Sequence, residues 1–205
     1  GYKRNQLNAK LCAEIRFLND FKFTVNGAVG TSSRLGHSAS IYYPEKTEVG
    51  SSTKTVSFET TWTFNQLLSY TKNFGNHHVD VLLGHESYDY EYNYLKGSMQ
   101  NQTIHNGNFE FSNYSVPDEQ DSYTNTYKTE GFLARANYDY NSRYFLSASV
   151  RRDGSSRFYK DSRWGTFFSV GAGWRIDEER FMEDIDFIDL LKLRVAYGEV
   201  GNDAI

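Results

Sequence analysis

Three kinds of side chain in this sequence have the types and spacing for chemistry: neighbouring histidines, clustered carboxylates and runs of tyrosine. His77-His78 and His85-Glu86 form the histidine clusters. Neither belongs to HExxH or another recognised ligand spacing, so structural or solvated histidine is the plainer reading over a metal centre. Asp118, Glu119 and Asp121 gather beside Pro117, where a solvated acidic loop is expected and calcium is the ion such oxygens would suit. Asp184, Asp186 and Asp189 read as charges on a helix surface. Gly154, in Asp153-Gly154-Ser155-Ser156, marks a turn and not a phosphate cradle, because no strand-loop-helix with a following lysine surrounds it. Serine, histidine and aspartate are plentiful, but no GxSxG nucleophile motif occurs. No catalytic, metal-binding or cofactor-binding residue is assigned, and the chain is read as a non-enzyme.

The tyrosines carry the ligand expectation. Tyr42, Tyr43, Tyr88, Tyr90, Tyr92 and Tyr94 are candidates for stacking against sugars, because a flat ring buries a sugar's C–H face at small entropic cost. The plainer source of such a run is the preference of aromatics for strands. Arg151, Arg175, Lys192 and Arg194 are expected on the wet side of their strands, suited to a charge ladder with glutamates or to pairing with another segment.

These side chains must be positioned by strands. The stretch from Tyr144 to Ile176 places Tyr144, Leu146, Ala148 and Val150 on one face of a first strand, and Phe168, Val170, Ala172 and Trp174 on one face of a second. The odd positions Ser147, Ser149, Arg151, Ser169, Gly171, Gly173 and Arg175 make a small, polar opposite face. One greasy and one wet face suit either a sandwich core or a lipid-facing barrel wall. Composition agrees with an all-β chain: 205 residues hold 17% aromatics and 16 glycines but only 2 prolines. A net charge of -4 with no basic stripe argues against duplex nucleic acid as a partner. Cys12 is alone, so no internal disulfide forms. No run approaches 18 apolar residues, which excludes a transmembrane helix and says little about a transmembrane barrel. Gly1 to Lys10 read as polar mature chain without a signal peptide.

About eight strands are expected, in an antiparallel up-and-down meander: Ala9 to Phe17, Phe21 to Gly30, Lys54 to Phe74, His77 to Lys96, Tyr123 to Tyr140, Tyr144 to Arg152, Trp164 to Ile176 and Leu190 to Glu199. Parity fixes the turns. Three-residue loops at Leu18-Asn19-Asp20 and Asn141-Ser142-Arg143 pair Phe17 with Phe21 and Tyr140 with Tyr144, whereas Gly75-Asn76 fits a type II′ hairpin. The fourth strand changes apolar parity after Gly84, which predicts a bulge there. Long polar excursions are expected at Thr31 to Thr53, Gly97 to Ser122 and Asp153 to Arg163, and a short helix after Asp177-Glu178-Glu179. Short turns alternating with long loops, and Phe17, Phe21, Tyr70, Phe74, Tyr138, Tyr140, Tyr144 and Trp174 beside the short turns, match an outer-membrane barrel with an aromatic girdle. A soluble β-sandwich module binding glycans remains the alternative at this level.

Arg152-Asp153-Gly154-Ser155-Ser156-Arg157-Phe158, Arg163-Trp164-Gly165-Thr166-Phe167-Phe168 and Ser169-Val170-Gly171-Ala172-Gly173-Trp174-Arg175 resemble the barrel of SusC/RagA-family TonB-linked outer-membrane transporters of Bacteroidetes. Leu191-Lys192-Leu193-Arg194, Tyr197-Gly198-Glu199-Val200-Gly201-Asn202 and the run Leu68 to His77 look like the same family, in the same order. The resemblance covers about Thr55 to Asn202; Phe168 stands where the family more often has proline. It implies a large barrel with an N-terminal plug in the cell outer membrane. It also implies a SusD-like surface lipoprotein as lid, TonB as the source of drive, and oligosaccharide or peptide as cargo. Residues 1–205 would then be an internal piece of the barrel wall, without plug, TonB box or C-terminal strands, and with no cofactor.

Overall fold

The computed structural model describes residues 1–41, 49–183 and 187–199. Its strands are β1 (Tyr2–Phe17), β2 (Phe21–Ser40), β3 (Ser51–Phe74), β4 (His77–Gln102), β5 (Tyr114–Tyr140), β6 (Tyr144–Ser155), β7 (Trp164–Arg175) and β8 (Lys192–Gly198). They form one eight-stranded sheet in the order β1-β2-β3-β4-β5-β6-β7-β8, the expected meander. The register obeys the parity of the sequence, with even residues facing even ones. Tyr140 pairs with Tyr144, Tyr138 with Leu146 and Ala136 with Ala148. Ala148 pairs with Val170 and Val150 with Phe168, and Val170 pairs in turn with Tyr197.

Turn chemistry sets that register. Gly75 takes φ +60° at the first turn position while Asn76 does not, as a type II′ hairpin requires. The three-residue loops place consecutive residues in the left-handed region, Leu18 (φ 51°) with Asn19 (φ 61°) and Asn141 (φ 55°) with Ser142 (φ 54°). Asp139 Oδ1 accepts a hydrogen bond from Ser142 N at 2.8 Å and holds the second of these in place.

Four expectations are corrected. The strands run further than the apolar alternation: β2 reaches Ser40, β4 reaches Gln102 and β5 begins at Tyr114, so Asp118, Glu119 and Asp121 lie in a strand and not a loop. A backbone ladder needs only a neighbouring strand, whereas alternation also needs one apolar side, so it marks less than the full strand. Second, among the described residues no α-helix follows Asp177; two 3-10 turns, Ile176–Glu178 and Arg180–Met182, flank an extended Glu179 whose side chain is engaged elsewhere. Asp184 and Asp186 lie outside the described residues, and Asp189 sits in no helix. Third, β7 ends at Arg175 and β8 spans only Lys192–Gly198.

The fourth concerns Gly84. Within β4, Asp80 bonds Asn137 and Glu86 bonds Arg151 on one side, whereas His85 stacks on Phe132 on the other. Alternation is therefore unbroken from Asp80 to Glu86, with no parity change. Gly84 is small for another reason: a Cβ there would lie 2.8 Å from Leu133 Cγ and 2.9 Å from Leu67 Cδ2.

The contacts divide the chain into two compact units. The first comprises 1–9, 28–62 and 89–127, and the second 10–27, 63–88 and 128–205. In the first, Ser52 is fully buried; its Oγ donates to the Phe109 carbonyl at 2.7 Å and shares a 3.1 Å hydrogen bond with His37 Nε2. Asn113 Nδ2 donates to the carbonyls of Ile104 and Asn108, pinning the 103–113 connection. In the second unit, the short turns and strands β6 to β8 carry the two-faced pattern. Among the described residues Tyr114 is the sole buried apolar side chain. Leu146, Val150, Val170 and Val195 are 56, 44, 50 and 66% exposed. No second layer of the described residues covers the apolar face, contrary to what a sandwich core demands. No described helix is long and apolar enough to cross a membrane, which says nothing of strands.

Candidate functional site

The second unit presents two different surfaces, and the alternation of β5, β6 and β7 assigns each residue to one of them. On the apolar side, rings gather beside the short turns. Phe17 stacks on Phe21 (5.4 Å between centroids), Phe21 meets Tyr70 (4.7 Å), and Phe74 stacks on His77 (5.1 Å). His77 continues to Tyr138 (5.9 Å) and Tyr140 (4.9 Å), and Tyr140 to Tyr144 (6.3 Å), which pairs in register with Trp174. The expected aromatic girdle is present, with His77 as an additional member. His77 Nδ1 and the Tyr138 hydroxyl share a 2.7 Å hydrogen bond. Its place opposite Phe74 across the Gly75-Asn76 turn was the signal that could have found it.

A second group lies further along the same face. His85 stacks on Phe132 (4.8 Å), Phe132 lies 6.1 Å from Trp164, and the Arg152 guanidinium sits 5.3 Å over the Trp164 ring. Gly154 makes room for that ring, since a Cβ there would stand 3.0 Å from three of its atoms. Trp164 and Trp174 bound β7, ten residues apart. At a rise of about 3.3 Å per residue this is about 33 Å of strand, or about 25 Å of height at a tilt near 40°. The side chains between them on this face are Thr166, beside the Trp164 end, and then Phe168, Val170 and Ala172, which are apolar or small. An apolar band of that height between two aromatic rows is the surface a lipid bilayer selects.

The wet side of the same unit holds a recess of about 700 Å³ lined by Thr63, Asn65, Glu86, Tyr88, Arg151, Asp153 and Phe167 among others. Arg151 bridges Glu86 (Nη2 to Oε2, 2.8 Å) and Asp153 (Nε to Oδ2, 2.8 Å). Gly131, Asp153 and Gly165 share one row of the register. A Cβ at Gly131 would lie 2.6 Å from Asp153 Oδ1, and one at Gly165 2.8 Å from the Phe167 ring, so both glycines give these side chains room to lie over the sheet. Of the wet-face cations, Arg175 pairs with Asp177 and Glu178, and Lys192 Nζ lies 3.6 Å over the Phe145 ring.

The candidate tyrosines are divided. Tyr42 and Tyr43 lie outside the described residues. Tyr88 lines the recess. In the first unit Tyr90 faces Tyr127 (5.0 Å), while Tyr92 (6.0 Å) and Tyr94 (5.0 Å) both meet Tyr123, so five rings form a ladder. Tyr123 and Tyr127 were not singled out in the sequence, although their spacing on the adjoining strand is what completes the ladder.

The connection between β7 and β8 is tied down by two carboxylates. Glu179 accepts hydrogen bonds from the Tyr144 hydroxyl, Trp174 Nε1 (2.9 Å) and Arg143 Nη1 (3.2 Å). Tyr144 above all, then Trp174, holds its carboxyl below the ordinary glutamate range. Asp177 accepts from Arg175 and from the Leu191 N–H (3.2 Å), and the Arg175 bond chiefly holds its carboxyl down. These two residues stitch the turn to the end of the aromatic girdle.

Residues 1–202 match the family model described as TonB dependent receptor-like, beta-barrel. The TonB-dependent receptor SusC of Bacteroides thetaiotaomicron is 32% identical over 146 residues, covering 69% of this chain and 14% of that protein. The TonB-dependent receptor P39 of Formosa agariphila is 49% identical over 80 residues, 39% of this chain and 8% of that one. The solved structure of the RagAB peptide transporter superposes with a TM-score of 0.89 at 21% identity, over 96% of this chain and 22% of that chain. The chain thus spans a small part, 8 to 14%, of the length of these curated relatives.

Proposed function

The chain belongs to the TonB-dependent receptor-like β-barrel family, and from that premise we propose that residues 1–205 form part of the barrel wall of an outer-membrane importer. The observation that carries this reading is the uncovered apolar band of the second unit, bounded by aromatic rows and backed by a polar, charged face. A wall between hydrocarbon and a watery passage needs that division; a soluble domain would bury the band.

Cargo passes on the wet side. The recess around Arg151 offers the Tyr88 and Phe167 rings with carboxylate, amide and guanidinium groups, chemistry suited to an oligosaccharide or a peptide, and the tyrosine ladder of the first unit separately offers planar rings. Members of the family work on cargo of this size with help, so the whole protein is expected to carry a plug, to be driven through TonB, and to be lidded by a SusD-like surface lipoprotein. The relatives named above support this assembly at the level of the family. The relatives are receptors and transporters, so the chain is read as non-enzymatic.

The test is made on the full-length protein in its native cells. It is expected in the outer-membrane fraction, to migrate differently on gels with and without heating, and to co-purify with a surface lipoprotein. Recovery as a detergent-free soluble monomer would end the reading.

A further inference from the structure

Arg152 is out of place for a residue on the apolar side. Its register partners are Phe132 on β5 and Thr166 on β7, so its side chain leaves the sheet on the same face as Val150 and Phe168. It is exposed, and no carboxylate among the described residues pairs with it; its recorded contact is the Trp164 ring. The nearby Glu130 is engaged by His85 Nε2 at 3.1 Å. A guanidinium at the edge of a lipid-facing band carries a desolvation cost unless an anion meets it there.

The surface beside it has a matching shape. A shallow groove of about 440 Å³ runs over Phe23, Leu68, Leu83, Ala134 and Val150 and ends at His85 and Arg152. Its walls are apolar apart from Gln66, and Arg152 makes one end cationic. The Arg152 guanidinium lies over the Trp164 ring, for which Gly154 leaves room, so the ring offers the cation a cation-π partner at the end of the groove. The charged end is the end of the groove further from the short turns, which in the barrel reading is the side of the outer leaflet.

We propose that this groove is a lipid site in which Arg152 binds the phosphate of an outer-leaflet lipid and the apolar groove receives one of its acyl chains. Arginine suits the task because its fork meets two phosphate oxygens at once. The proposal rests on the assignment of this face to lipid made above.

The test uses the full-length receptor in phosphatidylcholine nanodiscs supplemented with lipid A, with retained lipid counted by native mass spectrometry. Heat-modifiable migration is recorded first, to establish that each variant has inserted. Arg152→Gln is expected to lower lipid A retention about tenfold, the loss of one charge-assisted contact. Arg135→Gln removes the same charge from the wet face, where Arg135 pairs with Ser149, and is expected to leave lipid A retention as in the parent. Trp164→Ala should give a smaller loss than Arg152→Gln. Insertion with equal lipid A retention in the parent and Arg152→Gln overturns the site alone. Failure of the parent to insert overturns the lipid-face reading and the site with it.

Discussion

Val170 and Ser169 are adjacent on β7 and point to opposite sides, so arginine placed at each in turn asks which side touches lipid. Val170 is half exposed and lies between Ala148 and Tyr197. It stands four residues from Trp174 and six from Trp164, close to the middle of the band. Val170→Arg should therefore cost about 2–4 kcal/mol, the range for a cation at the midplane of a barrel wall. Ser169→Arg loses the 2.7 Å hydroxyl pair with Ser149 and gains a solvated cation, a change of about 1 kcal/mol or less. A sandwich core would also reject Val170→Arg, so Val170→Trp is the third variant. Facing lipid, the larger ring is accommodated; in a packed core it costs about 1–3 kcal/mol. The assay is guanidinium unfolding of the full-length receptor in lipid vesicles, read by gel migration. Equal costs for the two arginines, or a penalty for tryptophan matching that for Val170→Arg, would refute the lipid-face argument.

Other outcomes follow from single contacts. Gly84→Ala should destabilise by about 1–3 kcal/mol through overpacking against Leu133 and Leu67, and Leu133→Ala in the same chain should recover part of it; thermal unfolding of the double variant checks this. Glu179 has a folded pKa below its unfolded value, so its contribution is complete above about pH 4.3 and is lost as pH falls through the folded pKa. Proteolysis of the β7–β8 connection should accelerate in acid for the parent, while Glu179→Gln shows a flatter pH profile; identical profiles would remove Glu179 from the account. Replacing Tyr92 and Tyr94 together by alanine should weaken cargo binding about tenfold if the ladder stacks on cargo, at about 0.5–1.5 kcal/mol per ring. Unchanged affinity by calorimetry would leave the ladder a structural feature of the wall.

Much of this architecture follows from residue order alone. The three-residue turn Asn141-Ser142-Arg143 determined the register of β5 with β6, whereas alternation in Tyr144 to Ile176 determined only that even residues of β6 face even residues of β7, since a slip of two keeps the apolar set together and the structure chose among such pairings. Gly75-Asn76 determined its hairpin because only glycine enters the first position of that turn cheaply. Those signals are local. The extent of β2, β4 and β5, the small size of Gly84 against Leu133, and the placing of Glu179 under Tyr144, 35 residues away, depended on neighbouring strands or on partners distant in sequence, which periodicity does not report. Sequence determined that this chain has an oily and a wet side; the tertiary structure decided that no second layer of the described chain covers the oily one. The reason is physical: alternation records only that two faces meet different surroundings, and whether the apolar surrounding is protein or lipid is settled by what packs there.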